Sequence, residues 1–299
     1  MGPGTYTGAL AVNNLTIRSS DGAAQTIIEQ SIKGEIIHLE TAAVLDGFTI
    51  NALTYSTSIV RISIVEGTEG ASAINNVING AVIKIGRGCS NITVQGNIIN
   101  SGNIYITSGE SDILIKGNKV SNYGSAGINI QPSSSNPNSD VTVEDNEVTN
   151  CGVGGIHQLQ GFTSGLTIKG NKVFNLPLGG WGGINVVDGS DIKIENNEVH
   201  NVAGCGIIVG GQTVTVRYNE VYDNMAGIKT ETTGVVVNYN NIYGNTAYGL
   251  KNSDDTETVD ATNNWWGDAS GPTHTSNPGG AGDAVSDNVI FEPWSEESH

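Results

Sequence analysis

The sequence predicts an all-β chain wound into a right-handed parallel β-helix, a solenoid of about ten coils. Three observations predict it. A short motif recurs along the whole chain. It carries an asparagine on the same beat each time. The residues around it alternate in the two-residue rhythm of half-buried strands, with no sustained helical period. The motif reads FTINAL, AINNVI, VQGNII, IKGNKV, VEDNEV, IKGNKV, IENNEV, VRYNEV, VNYNNI and ATNNWW. Its aligned asparagines are Asn51, Asn76, Asn97, Asn118, Asn146, Asn171, Asn197, Asn219, Asn240 and Asn264. Their spacing runs from 21 residues (Asn76 to Asn97) to 28 (Asn118 to Asn146).

One repeat, residues 191–209 (DIKIENNEVHNVAGCGIIV), justifies the elements in order. Ile192 and Ile194 alternate with polar residues, as in a strand with one buried face. Asn197 marks a turn, and Val199 resumes the apolar line. A Gly-rich loop follows, and Ile207 to Val209 form a third short strand. Gly, Asn and Asp fill the turns, where positive φ is required. A single coil cannot bury its apolar side, so coils stack about 4.8 Å apart with like strands pairing in parallel. A turn Asn buried by that stacking needs partners, and an Asn at the same place in the next coil supplies them, forming an internal ladder. A leucine-rich horseshoe would need Leu where this chain uses Ile and Val, and a β-sandwich would not need an Asn in register.

The two ends differ from the middle. Residues 1–262 read as coils. Met1-Gly2 runs straight into the first coil, so the expectation is a longer natural protein with a leader and an N-terminal cap. Residues 263–299 read as a capping segment of the same domain. There Trp265 and Trp266 replace small inward residues, Gly and Pro break the rhythm, and Val289, Phe291 and Trp294 restore a last alternation. Open solenoid edges require such a plug.

The opening, GPGTYTGALAVNNLTIRSSDGAAQTIIEQ, resembles the first coils of the pectate-lyase-like right-handed parallel β-helix superfamily. The ending, NNWWGDASGPTHTSNPGGAGDAVSDNVIFEPW, resembles a closing segment of many bacterial and archaeal surface or secreted β-helix proteins. The resemblance implies the fold and an extracellular or cell-surface location. It leaves function open, because the superfamily holds lyases, epimerases, hydrolases, esterases, adhesins and structural rods.

Composition sets bounds. The 299 residues carry 13 Lys and Arg against 30 Asp and Glu, a net charge of −17. That argues against a nucleic-acid or anionic-membrane partner, which needs a basic face. No apolar run approaches a membrane span. Cys89, Cys151 and Cys205 form neither a disulfide framework nor a zinc pattern and read as small buried residues. The acidic balance leaves calcium open as a cofactor. Its candidate ligands are Asp268, Asp283 and Asp287, beside Asn288, although turn aspartates are common without metal.

The resemblance implies that ligands lie along an outward strand face. In the G-I-x-I strands the residue between the apolar pair points out, giving the stripe Tyr105, Asn129, His157, Asn185, Ile208, Lys229 and Lys251. Two loops break the repeat, residues 131–139 (QPSSSNPNS) and 176–182 (LPLGGWG), and both are expected beside His157. Long loops on a tight scaffold carry function, and an exposed Trp is a stacking platform for a sugar ring. The candidate substrate-binding residues are therefore Asn129, His157, Asn185, Trp181 and Lys229.

Catalytic candidates are His157 and Tyr105. A lyase or epimerase on a uronate polymer would use one as a base. Lys229 and Lys251 lie three or more coils from His157, about 15 Å or more at one coil per 4.8 Å, too far for one centre. The stripe holds no Asp or Glu for a glycosidase pair. Glu144, Glu147, Glu195, Glu198 and Glu220 instead flank the turn Asn among Lys and Arg, as a solvated edge. The reading favours a binding or structural module acting on polysaccharide. The alternatives are a polysaccharide lyase or epimerase and a purely structural surface rod.

Overall fold

A computed structural model describes residues 1–30, 35–52, 60–159, 161–178 and 180–299, with the side chains at 30, 35, 36 and 60 outside the description. The described residues contain strands, turns and bends and no helix. The strands fall into three sheets of 11, 11 and 14 strands, and every pairing between named strands is parallel. Each coil gives one strand to each of the first two sheets, and in the third sheet two coils add the short strands Thr163–Ser164 and Gly189–Ser190 and the C-terminal segment adds Val289–Ile290, so the chain is a three-sided β-helix. At the strand spacing of about 4.8 Å, eleven coils make a rod of about 50 Å.

The core is built from in-register ladders. In the second sheet Ile62, Ile83, Ile104, Ile128, Ile156, Ile184, Ile207, Ile228 and Leu250 stack one per coil, all fully buried. A uniform apolar column extends indefinitely, which is why the chain needs only a repeated pattern of Ile and Val.

The asparagine ladder runs from Asn76 to Asn264, every member 1% exposed or less. Each backbone N–H from Asn76 to Asn240 donates to the Oδ1 of the next Asn at 2.8–3.0 Å. Each Nδ2 donates to the same oxygen at 2.9–3.0 Å. The residue just before the ladder Asn sits at positive φ, for example Asn75 at 55° and Asn196 at 56°. This explains the Gly, Asn or Asp that usually precedes it.

Asn51 departs from the expectation. Strand register aligns Val77 with Thr49, so Phe48 holds the ladder position in that coil, and its N–H donates to Asn76 Oδ1 at 3.0 Å. Asn51 lies inside the strand Thr49–Ala52 and receives a bond from Asn79 Nδ2 at 2.9 Å on the sheet surface. The two-residue alternation of FTINAL fits either placement, and only stacking on the next coil separates them.

A second, shorter ladder occupies another turn. Val202 N–H donates to Asn224 Oδ1, Asn224 donates to Asn245 Oδ1 at 3.1 Å, and Asn245 donates from N and Nδ2 to Asp283 at 2.9 and 2.8 Å. Asp283 thus ends this ladder from the C-terminal segment. The core is covered at that end by buried Trp266, Val285 and Phe291. Only one of the paired tryptophans points inward, because adjacent strand residues face opposite sides. Trp266 is fully buried, while Trp265 bridges to Asn241 and stays half-buried. The acidic and basic residues beside the turn Asn pair between coils, Glu144 with Lys116 at 2.6 Å and with Lys169 at 2.8 Å.

The glycine of the G-I-x-I strands has a steric cause. A Cβ on Gly155 would lie 2.3 Å from Val173 Cγ1 and 2.5 Å from Gly183 O. Gly127, Gly183 and Gly206 are closed in the same way by valines of the first sheet. The expected result for Gly155→Ala is a loss of about 2 kcal/mol from overpacking. Gly124→Ala, where nothing lies within 4 Å, is the control. Urea unfolding of both variants checks this, and equal stability in the two would refute the steric account.

Candidate functional site

The outward stripe of the second sheet is set by register. Lys84 pairs with Tyr105, Tyr105 with Asn129, Asn129 with His157, His157 with Asn185, Asn185 with Ile208, Ile208 with Lys229 and Lys229 with Lys251. In its centre the side chains are not open to solvent. His157 is 2% exposed, Asn129 7% and Asn185 8%. The flanking loops wall the stripe, so it forms the floor of a cleft rather than a free face.

The cleft has a volume of about 920 Å³ and is lined by Tyr105, His157, Asn185 and Trp181, with Thr107, Gln131, Ser133, Ser134 and Leu159 among its walls. Both predicted loops contribute. Ser133 and Asn136 close the first through paired backbone bonds of 3.2 and 3.1 Å. In the second, Trp181 N–H donates to Val153 O at 2.9 Å, which holds the indole over the floor. Gly154 lies against this loop, where a Cβ would come within 3.2 Å of Gly182 O and rest in ordinary contact with Trp181 Cβ at 3.5 Å. Position 179 of this loop lies outside the described residues. The Trp181 and His157 rings sit 4.5 Å apart, tilted by 37°. Trp181 keeps 36% of its surface exposed.

The floor is chemically unusual. Asn129 Oδ1, His157 Nδ1 and Asn185 Oδ1 are buried without a hydrogen-bond partner. An unpaired buried polar group costs about 1–3 kcal/mol, so three in adjacent coils are a concentrated cost that a hydrogen-bonding ligand would relieve. Burial also holds the His157 imidazole down at about pKa 4, so it is neutral near pH 7 and can accept or donate a hydrogen bond. Burial raises the Tyr105 phenol above its ordinary value, so it stands as an O–H donor. No Asp, Glu, Lys or Arg lines the cleft among the described residues.

Lys229 is separate from this centre. It lies three coils from His157 and pairs with Glu231 at 2.7 Å. Asn129 lines an adjoining cavity of about 450 Å³ that shares Tyr105 and Thr107 with the cleft. The three aspartates considered for calcium are not brought together. Asp268 accepts from Ser270 N–H and Oγ–H, Asp283 ends the second ladder, and Asp287 contacts His274 at 3.3 Å. Among the described residues no group of three His, Cys, Asp or Glu side chains is placed to hold a metal ion.

Sequence reasoning placed the loop holding Ser133 and Ser134 beside His157 but missed Thr107 as a wall residue, and Arg61 and Lys84 in the adjoining cavity. The strands V-R-I-S-I and A-V-I-K-I continue the same alternation without the glycine, and that alternation was the available signal. Sequence reasoning also missed Glu110. It is buried, its Oε2 has no partner, and its Oε1 lies 2.5 Å from Thr107 Oγ1. Burial raises its pKa to about 7.

The family profile described as "Right handed beta helix region" matches residues 6–180 and 104–265. The chain belongs to that family. A comparison with curated proteins finds no matching sequence. Among solved structures, this β-helix is similar to the A-module of the Azotobacter vinelandii mannuronan C-5 epimerase AlgE4, with a TM-score of 0.66 at 12% identity, covering 100% of this chain and 89% of that one. It is similar to the Dettilon tailspike protein, with a TM-score of 0.62 at 12% identity, covering 96% of this chain and 59% of that one. A third is the GH87 alpha-1,3-glucanase of Streptomyces thermodiastaticus, with a TM-score of 0.53 at 14% identity, covering 98% and 62%. At these identities the likeness is one of fold. The fold is thus shared with a mannuronan C-5 epimerase, a tailspike and an alpha-1,3-glucanase. No helix of the described residues is long and apolar enough to cross a membrane.

Proposed function

We propose that this β-helix is an extracellular or cell-surface module that binds polysaccharide in the cleft over His157. The observation that carries the reading is the row of buried groups without a partner among the described residues, Asn129 Oδ1, His157 Nδ1 and Asn185 Oδ1, with the half-open Trp181 indole over His157 at its centre. A sugar offers both halves of what this arrangement lacks. Its hydroxyls supply donors to the orphaned acceptors, and its C–H face packs on an aromatic ring. The cleft volume lies in the range of about 300–1,000 Å³ typical of ligand sites. The mannuronan C-5 epimerase and the alpha-1,3-glucanase of similar fold support the reading by analogy only.

Binding is favoured over hydrolysis because a glycosidase needs two carboxylates about 5–10 Å apart, and no carboxylate lines the cleft among the described residues. The test is affinity electrophoresis on a panel of neutral and acidic polysaccharides, with reducing ends and unsaturated products assayed in parallel. Retardation by at least one polymer is expected, weakened about tenfold or more in Trp181→Ala with unchanged melting temperature. Retardation that Trp181→Ala leaves intact would remove the cleft from the account. Product formation lost in His157→Ala would turn the reading to a lyase or epimerase.

A further inference from the structure

The cavity beside the cleft has a different electrical character. Arg61 and Lys84 line it together with Tyr105, Tyr123 and Asn129, in a chain that has only 13 basic residues and a net charge of −17. The two cations stand on the same face by register. Arg61 pairs with Val82, and Lys84 follows two residues later on the same side of the strand. Among the described residues neither forms an ion pair, whereas Lys116, Lys119, Lys169, Lys172, Arg217 and Lys229 each have a carboxylate partner; Arg61 stands in strand register with Glu35, whose side chain lies outside the description. Tyr105 and Tyr123 bring phenol hydroxyls to the cavity, and among the described residues the Oδ1 of Asn129, 93% buried, has no hydrogen-bond partner. Two cations in one cavity beside phenol and amide donors describe a receptor for an oxyanion, since charge-assisted bonds from Arg and Lys are the strong ones.

We infer that this cavity is an anion subsite, in which Arg61 and Lys84 hold a carboxylate or sulfate group of a glycan whose neighbouring sugar ring lies under Trp181. The inference rests on the proposed binding function and adds to it the class of ligand, an acidic polysaccharide. Continuity supports it. Tyr105 and Thr107 line both cavities, so one extended ligand reaches from the cationic end to the neutral floor at His157. The separation of charge from the neutral cleft also gives the bound chain a direction along the rod.

The experiment measures binding of the whole chain to dextran, carboxymethyl-dextran, dextran sulfate, alginate and polygalacturonate. Wild type is compared with Arg61→Gln/Lys84→Gln, the charge-keeping Arg61→Lys/Lys84→Arg, and Trp181→Ala. The expected result is binding to at least one anionic polymer, weakened about tenfold or more in the Gln pair and largely kept in the charge-keeping pair. It should also weaken as ionic strength rises beyond about 0.15 M. The carboxylated and sulfated arms identify which oxyanion is read. Wild-type affinity for anionic polymers in the Gln pair overturns the subsite. If a neutral polymer alone binds, and binding is lost in Trp181→Ala but not in the Gln pair, the subsite falls while the cleft stands. If no polymer binds, both fall.

Discussion

Replacing Asn171 by alanine is expected to cost about 3 kcal/mol, because one side chain serves both neighbouring coils. Asn171 Oδ1 accepts from Asn146 N and Nδ2 at 3.0 and 2.9 Å. Its Nδ2 lies 2.9 Å from Val143 O and from Asn197 Oδ1. Truncation strands the Asn146 backbone N–H in a place without water, at about 1–3 kcal/mol, while Asn146 Nδ2 keeps Ile115 O and Glu144 O, and Asn197 Oδ1 keeps the N–H of residue 171, so those groups lose one bond of several. Relaxation of the turn recovers part of that. The loss should be local first, since each coil contacts only its neighbours. Hydrogen exchange should show amides near 146, 171 and 197 losing protection before those near 83. Asn51→Ala is the matched control, because Asn51 is an Asn of the same motif outside the ladder, and its loss should cost under about 1 kcal/mol. Comparable destabilisation by the two variants would mean that the ladder adds nothing beyond ordinary turn bonding.

The second large effect is on pH. Glu110 and His157 are both neutral and buried, with pKa values moved in ways that oppose each other in stability. Burial raises Glu110 from 4.5 to about 7. Between those values the native chain holds a proton that the unfolded chain has released. Its contribution is complete below pH 4.5 and is lost as pH rises through 7. Burial lowers His157 from 6.5 to about 4. Between those values the unfolded chain takes a proton that the native chain refuses. Its contribution is complete above pH 6.5 and is lost as pH falls through 4. Over pH 4.5–6.5 the two slopes cancel. Removing either group exposes the other, at about 1.4 kcal/mol per pH unit, or about 3 kcal/mol across the window. Relative to wild type, Glu110→Gln should therefore lose stability as pH falls from 6.5 to 4.5, and His157→Asn should gain it. Denaturant unfolding at several pH values reads this difference directly, with the other titrating groups common to both chains. Parallel stability curves for wild type and both variants would refute the linkage.

The position of Glu110 explains how its proton is held. Thr107 has one hydroxyl hydrogen, and its Oγ1 lies near both Ile85 O at 3.0 Å and Glu110 Oε1 at 2.5 Å. With Glu110 protonated, the carboxyl donates to Thr107 and Thr107 donates to Ile85 O, and both bonds are made. Ionisation forces Thr107 to choose. Nothing in the sequence near GESD announces this, because the contacts come from the coil before and from the Asn138 amide of the coil after, which accepts from Gly109 and Glu110 N–H.

Much of the site was legible because a solenoid turns sequence spacing into spatial order. Once the coil length is read, residues 28 apart, such as Asn129 and His157, are strand neighbours. The stripe from Tyr105 to Lys251 followed from that arithmetic, and so did the meeting of the two loops near His157. The misplacement of Asn51 shows where the same reasoning fails. A two-residue alternation aligns in more than one way, and only the packing of Phe48 over Asn76 selects the register.

By itself, then, the sequence determined the architecture: parallel β-helix, ladder Asn, Ile and Val columns, and the strand face that carries the candidate site. These depend on short patterns repeated in each coil, and repetition makes them readable. The tertiary structure decided what the loops and neighbouring coils do to individual side chains. Burial left Asn129, His157 and Asn185 without partners, moved the pKa values of His157 and Glu110, set Arg61 and Lys84 into one cavity, and gave Asp283 to the end of a ladder. Such properties depend on solvent access and on distances between residues of different coils, which no local pattern encodes.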